Sequence, residues 1–266
     1  MKYIILLTLF AFELFGALVK GPVVTVDEEN RTIQAKLPIV TPGVSGFVVH
    51  KIAEGHSSIL NNCVVLDYNK TAQLATLKLL PFNALANNAL PTGKWKVQKG
   101  DEVTLAFAYS RALLIAPSEE IYHQVTKSVK VQWIHPDIFA TILSYIGHPT
   151  PLKEDFEAMS IATSVGLVFF YLEKKIYTVD IKSFKILGIN EAPLVQDTTK
   201  LPFYTRVEKI EANWFGEGSD ELESYAPYYY ELLVTYNPKN EKLYENIKNG
   251  DASLHFLLEK FDLGKE

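Results

Sequence analysis

The run Arg111-Ala112-Leu113-Leu114-Ile115-Ala116-Pro117-Ser118-Glu119-Glu120 decides how the chain is read. Its centre, Ala112 to Ala116, is apolar without alternation, the pattern of a strand buried on both faces. Pro117 then suits an N-terminal helical turn, and Glu119 and Glu120 meet the positive end of a helix dipole. A doubly buried strand that passes straight into a helix is the repeating unit of an α/β sheet.

The same grammar continues downstream. Residues 129–134 read as a strand, and His135-Pro136-Asp137 leads into a helix over 138–145 that Gly147 ends. Residues 152–163 are helical in pattern. Residues 166–172 form a strong strand, and Glu173-Lys174-Lys175 turns it into a second one over 176–180. Beyond Leu201 the chain is rich in aromatics. Residues 207–215 and 228–236 are expected to pair as strands around an acidic loop, and residues 238–261 to form one or two short helices broken at Gly250-Asp251.

Upstream of Arg111 the units are shorter. Val23-Val24-Thr25-Val26, the turn Asp27-Glu28-Glu29-Asn30 and Thr32 to Leu37 make a β-hairpin. Residues 46–52 are a strand, and residues 64–68 and 72–80 form a second hairpin around Asn69-Lys70. Short strands at this spacing predict a small barrel or sandwich. The expected fold class is therefore mixed α/β (α+β): an N-terminal small β-barrel or sandwich, 18–111, followed by an α/β region with a mixed sheet, 112–266.

Residues 1–17 are expected to be a signal peptide. Lys2 precedes an apolar run from Tyr3 to Phe12, and Gly16 and Ala17 supply small residues for cleavage. About ten apolar residues before Glu13 fall short of the roughly 20 that span a bilayer. The mature protein is thus expected to be exported, to the periplasm, an outer membrane or the cell surface, with no stable membrane span after signal removal. The single cysteine, Cys63, excludes an internal disulfide and sits in an apolar strand pattern, where it reads as a small core residue. Export without disulfides fits a bacterial envelope. A formal net charge of −5 gives nucleic acid no electrostatic hold.

Two groupings invite chemistry. His135, Asp137, His148 and Asp155 contain ligand-type residues for a metal or an acid–base pair, but not at the His-x-x-x-His spacing that puts two ligands on one helix face. Asp137 ahead of Ile138 reads as a helix N-cap and Glu154 as a first-turn acid, so capping outweighs catalysis. Ser57-Ser58 lies near His50 and His56, yet the chain has no Gly-x-Ser-x-Gly elbow and no glycine-rich phosphate loop. No catalytic residue, metal or cofactor is assigned, and the chain is not read as an enzyme. The tyrosines at 225–230 offer a contact surface or the buried face of a strand.

Several phrases of the sequence resemble the N-terminal domain of the bacterial plasminogen-binding protein family. They are Arg111 to Pro117, His135-Pro136-Asp137-Ile138-Phe139-Ala140, Gly147-His148-Pro149-Thr150-Pro151-Leu152 with Asp155-Phe156, and Ser164 to Phe170. The resemblance runs from about Lys20 to Phe261. It implies an envelope or surface protein whose protein partner is plasminogen. Kringle pockets of plasminogen take a lysine ammonium at one end and a carboxylate at the other. A C-terminal lysine supplies both groups, whereas this sequence closes Gly264-Lys265-Glu266. The ligand-binding candidates that the resemblance implies are Lys265, then Lys260 and the Lys174-Lys175 turn. The alternative is a periplasmic structural or assembly factor that contacts another envelope protein.

Protein isolated from its native host is expected to begin near Leu18 and to fractionate outside the cytoplasm. N-terminal sequencing checks this, and a cytosolic protein beginning at Met1 contradicts it.

Overall fold

The computed structural model describes residues 18–82, 95–195 and 198–264. The expected signal segment 1–17, and Lys265 and Glu266, lie outside the described residues. Six antiparallel strands close into a barrel: β1 (Val19–Asp27), β2 (Thr32–Lys36), β3 (Ser45–Ala53), β4 (His56–Asn69), β5 (Leu74–Pro81) and β6 (Glu102–Leu105). Around the barrel the order is β1-β2-β5-β4-β3-β6, and β6 closes it by pairing with both β3 and β1. Inward positions alternate along the strands, as Ile33 and Ala35 do on β2 and Ala75 and Leu77 do on β5. Gly46 is needed where β3 meets β6, because a Cβ there would lie 2.1 Å from the Thr104 carbonyl oxygen.

The second layer is a five-stranded mixed sheet in the order β11-β10-β9-β7-β8. Its strands are β7 (Arg111–Ile115), β8 (Gln132–Ile134), β9 (Leu167–Leu172), β10 (Lys175–Asp180) and β11 (Ile186–Glu191). β7 runs parallel to both β8 and β9, and the β9–β10–β11 edge is antiparallel. The helices are α1 (Glu119–Ser128), α2 (Pro136–Ile146), α3 (Lys153–Thr163), α4 (Tyr225–Tyr236) and α5 (Glu241–Lys248), with a 3₁₀ helix at Ala252–Lys260.

The sheet divides its side chains by the two-residue period of a strand. Ala112 and Leu114 of β7 and Leu167, Phe169 and Tyr171 of β9 join an apolar cluster continuous with the barrel interior and α1. Leu113 and Ile115, with Val168, Phe170 and Leu172, enter a second cluster beneath α2, α3, α4 and α5. Both faces of β7 are therefore covered, which accounts for its unbroken apolar run.

The barrel meets the sheet at a buried carboxylate. Asp180, the last residue of β10, is fully buried. One oxygen accepts from the Ser45 amide at 3.0 Å, from the Ser45 hydroxyl at 2.7 Å and from the Tyr109 hydroxyl. The other accepts from the Lys182 and Ser183 amides, at 3.0 and 2.7 Å. Ser183 Oγ donates to the Gly43 carbonyl at 2.6 Å, and Lys182 Nζ lies 4.6 Å from the centre of the Phe47 ring. Burial lowers the Lys182 pKa against the pull of Asp180. Burial, and then Asp180, push the neighbouring Cys63 thiol up to about 12, so it is a core group and not a nucleophile.

Two sequence expectations are corrected. Residues 225–236 are a helix, not a strand: Tyr225, Tyr229, Tyr230, Leu233 and Val234 are buried at helical spacing against the sheet. Tyrosine favours strands locally, and burial of one helical stripe overrides that preference. Residues 207–215 are irregular, their backbone held by groups at the end of α2. Asp137 is not the α2 cap either. His135 occupies that position, and its Nδ1 accepts from the Asp137 amide. The fold also adds a strand the pattern did not announce, β11, and lengthens β4 to fourteen residues.

Asp180→Ala leaves five donors without their acceptor, three of them buried, and at about 1–3 kcal/mol for an unsatisfied buried group the variant should lose roughly 3 kcal/mol or more. Ser45→Ala removes only the hydroxyl contact and should cost about 1 kcal/mol. Urea unfolding of the two variants checks both the size and the order.

Candidate functional site

In an open sheet with parallel strands, ligands bind beyond the carboxyl ends where neighbouring connections depart in opposite directions. Here that point lies between β7 and β9. The chain leaves β7 through α1 toward β8, whereas it leaves β9 by a hairpin toward β10 on the other side.

The crevice is filled by the protein itself. The Tyr225 hydroxyl donates to the Ile115 carbonyl at 3.0 Å and to the Tyr171 carbonyl at 3.2 Å, bridging the ends of the two strands. Burial raises its pKa well above the ordinary phenol value and keeps it a donor. The segment from Lys200 to Tyr204 completes the plug, since the Tyr204 amide donates to the Ala116 carbonyl and the Lys200 amide to the Pro117 carbonyl, both at 2.7 Å. Three further tyrosines of α4 act alike. Tyr229 bonds the Pro202 carbonyl, Tyr228 the Pro151 carbonyl, and Tyr230 the Tyr177 hydroxyl and the Glu173 carboxylate. Outside Tyr225 remains an open cleft of about 480 Å³, lined by Tyr171, Leu172, Glu173, Thr199, Leu201 and residues 223–227.

The histidine–aspartate candidates separate into two pairs. His135 packs edge-on against Tyr122 and is flanked by Tyr204, with ring centroids 5.2 and 6.2 Å away. Burial lowers its pKa, which favours the neutral ring that caps α2. Asp137 accepts from the Thr205 hydroxyl and the Arg206 amide, each at 2.8 Å, and from Arg206 Nε at 2.6 Å. Burial acts to raise the Asp137 pKa, but these bonds outweigh it and hold the pKa at about 2. His148 Nδ1 faces Asp155 at 2.9 Å, and Asp155 also accepts from the Leu152 amide at the start of α3. Among the described residues no three of His, Cys, Asp and Glu gather as a metal site would require. Both pairs fasten loops to helix starts.

Ser57 and Ser58 lie in β4. Ser58 is paired with His50 across the β3–β4 ladder. His50 Nδ1 contacts the buried Asp101 carboxylate at 2.7 Å, and Trp95 stacks on its ring. No hydrogen bond joins Ser58 to His50 among the described residues, so the triad's first link is missing.

The candidate lysines differ in freedom. Lys265 lies outside the described residues. Lys260 is paired with Glu231, and Lys175 lies 3.6 Å from Glu191 across the β10–β11 ladder. Lys174 is exposed, and its side chain has no hydrogen bond or ion pair among the described residues. It occupies the second place of a two-residue hairpin loop, Glu173-Lys174, between the paired residues Leu172 and Lys175. Both loop residues have positive φ, 44° and 64°, as a type I′ turn requires. That geometry suits Asn-Gly, and holding two residues with full side chains in it is a local strain. Tyr230 bonded to Glu173 steadies the turn from beneath. The hairpin was readable in the sequence as a turn over Glu173-Lys174-Lys175, one residue longer than the loop the structure forms; the Tyr225 plug, a contact between segments 110 residues apart, had no local signal.

Comparison with known proteins places these features in context. A family model described as "Plasminogen-binding protein pgbA N-terminal" matches residues 18–233. Two curated relatives, both named plasminogen-binding protein PgbA, come from Helicobacter pylori strains J99 / ATCC 700824 and ATCC 700392 / 26695. Each is 29% identical over 221 residues, covering 81% of this chain and 47% of the relative. The chain thus spans about half the length of the curated relatives it matches. No solved structure matches it.

Because the Asp137 pKa falls from 3.8 to about 2 on folding, its contribution is complete above pH 4 and is lost as pH drops toward 2. Allowing for solvent screening, Asp137→Asn should cost about 1–2 kcal/mol at neutral pH. The gap between variant and wild type should close between pH 4 and pH 2. Urea titrations across that range check it; a gap independent of pH contradicts it.

Proposed function

The chain belongs to the plasminogen-binding protein pgbA N-terminal family, and from that premise we propose that it is an exported envelope or surface module that binds plasminogen through a lysine on the β9–β10 turn. The observation that carries the reading is Lys174 itself. It is exposed at the tip of a rigid two-residue turn, whereas Lys175 and Lys260 face carboxylates of their own. An ammonium already paired must break that pair to bind elsewhere, and a preorganised free one need not. Export rests on the basic, apolar and small-residue order of residues 1–17.

The turn offers a variant that separates binding from folding. Lys174→Gly removes the ammonium and relieves a positive φ, so stability should rise by roughly 0.5–1 kcal/mol. Plasminogen affinity should fall by about tenfold, the scale of one charge-assisted contact. Binding by the intact protein should weaken with added salt and with a free lysine analogue. Lys260→Ala should change affinity little. A Lys174→Gly protein that binds plasminogen as tightly as wild type removes the turn from the account. Absence of binding by the intact protein at low salt removes plasminogen as its partner.

A further inference from the structure

A second surface stands apart from the lysine turn. Trp214 and Phe215 are 99% and 87% exposed, and Tyr145, in the last turn of α2, is 92% exposed. Single exposed apolar residues are ordinary, but adjacent aromatics projecting together mark contact sites. Trp and Tyr are also the residues that most often anchor protein interfaces.

The arch that carries them is fastened on both sides to the connection between α2 and α3. Before the aromatic pair, the Glu211 amide donates to Ser144 Oγ at 2.9 Å, and the Asn213 amide to the Gly147 carbonyl at 2.9 Å. Asn213 Nδ2 donates to the Ile146 carbonyl at 2.6 Å. After the pair, the Thr150 amide and hydroxyl donate to the Gly218 and Asp220 carbonyls, at 3.1 and 2.7 Å. Asn213 lies flush on Gly147, where a Cβ would fall 2.4 Å from its Cγ. The same bonds set the arch beside Tyr145, which lies between Ser144 and Ile146. The backbone that carries the rings is therefore held on both sides, which lowers the ordering cost of binding.

Charge selects the partner. Across residues 210–223 the chain carries Glu211, Glu217, Asp220, Glu221 and Glu223 and no Lys or Arg. Lys209 and Lys153 lie in the neighbouring clefts, so carboxylates outnumber cations here, and an acidic segment of this kind opposes an anionic lipid surface and complements a cationic one. We propose that the Trp214-Phe215 arch docks a basic protein partner, one that offers an apolar cleft edged by lysine or arginine. This surface is independent of the plasminogen reading and uses the opposite charge logic, carboxylates on this chain and cations on the partner.

The probes are a synthetic amphipathic peptide of lysine and leucine, its glutamate–leucine counterpart, and vesicles of zwitterionic phosphatidylcholine, each titrated against the intact protein. The lysine–leucine peptide should bind, with affinity falling as salt rises, and the Trp214 emission should shift to the blue. Trp214→Ala/Phe215→Ala should bind it at least about tenfold more weakly, as loss of an interface anchor does. Because both side chains are exposed, that variant should keep the wild-type unfolding midpoint. Glu217→Gln/Glu221→Gln should weaken binding and flatten its salt dependence. Equal affinity in the aromatic variant overturns the proposal, as does equal binding of the glutamate–leucine peptide. Preferential association with the vesicles also overturns it and assigns the arch to a membrane.

Discussion

Five hydrogen-bond donors converge on Asp180, and the relation of the two layers depends on that convergence. A carboxylate in a dry interior is costly unless its lone pairs are taken. Here they are taken from both sides: by Ser45 at the start of β3, by Tyr109 between barrel and sheet, and by the two amides that follow β10. The cost of burying the charge becomes a penalty on any arrangement that separates the layers. The apolar cluster running from the barrel interior onto one face of the sheet acts in the same direction but is tolerant of sliding. Hydrogen bonds to a fixed carboxylate are not, so the cluster supplies cohesion and Asp180 supplies register.

That register has a consequence for binding. With β10 fixed at its carboxyl end by Asp180 and at its amino end by the I′ turn, the tip at Glu173-Lys174 is set relative to the rest of the chain. Tyr230 links the turn to α4, and Tyr225 on the same helix closes the crevice between β7 and β9. The phenols of α4 thus occupy the space between the β7 and β9 ends and leave the β9–β10 turn at the surface. Membership of a family described by a binding function agrees with this division of labour.

The legible parts of the sequence were those with short-range grammar. The apolar run of β7 declared burial on both faces, and the hairpins declared themselves by short polar turns between apolar strand patterns. The helix after Ser118 was marked by Pro117 and by its first-turn acids. What the sequence hid was long-range or decided by burial. Nothing near Asp180 indicates that Ser45, 135 residues earlier, will face it. His135, Asp137, His148 and Asp155 look like one cluster on paper, yet the fold spends them as two pairs at different helix starts. The tyrosine-rich segment favoured a strand by local preference and became α4 because one helical stripe meets the sheet. Lys174 was named from its turn, but its freedom relative to Lys175 and Lys260 emerged only once Glu191 and Glu231 were placed.

The claim that one buried carboxylate couples barrel and sheet is tested most directly by native-state hydrogen exchange at the Ser45, Lys182 and Ser183 amides. All three donate to Asp180, the first from the barrel and the others from the sheet. If Asp180 locks the layers, the three amides open with the same free energy, equal to that of global unfolding, and shift together in Tyr109→Phe. If Ser45 opens at a much lower free energy while Lys182 and Ser183 stay protected, the barrel moves independently and the coupling is contradicted.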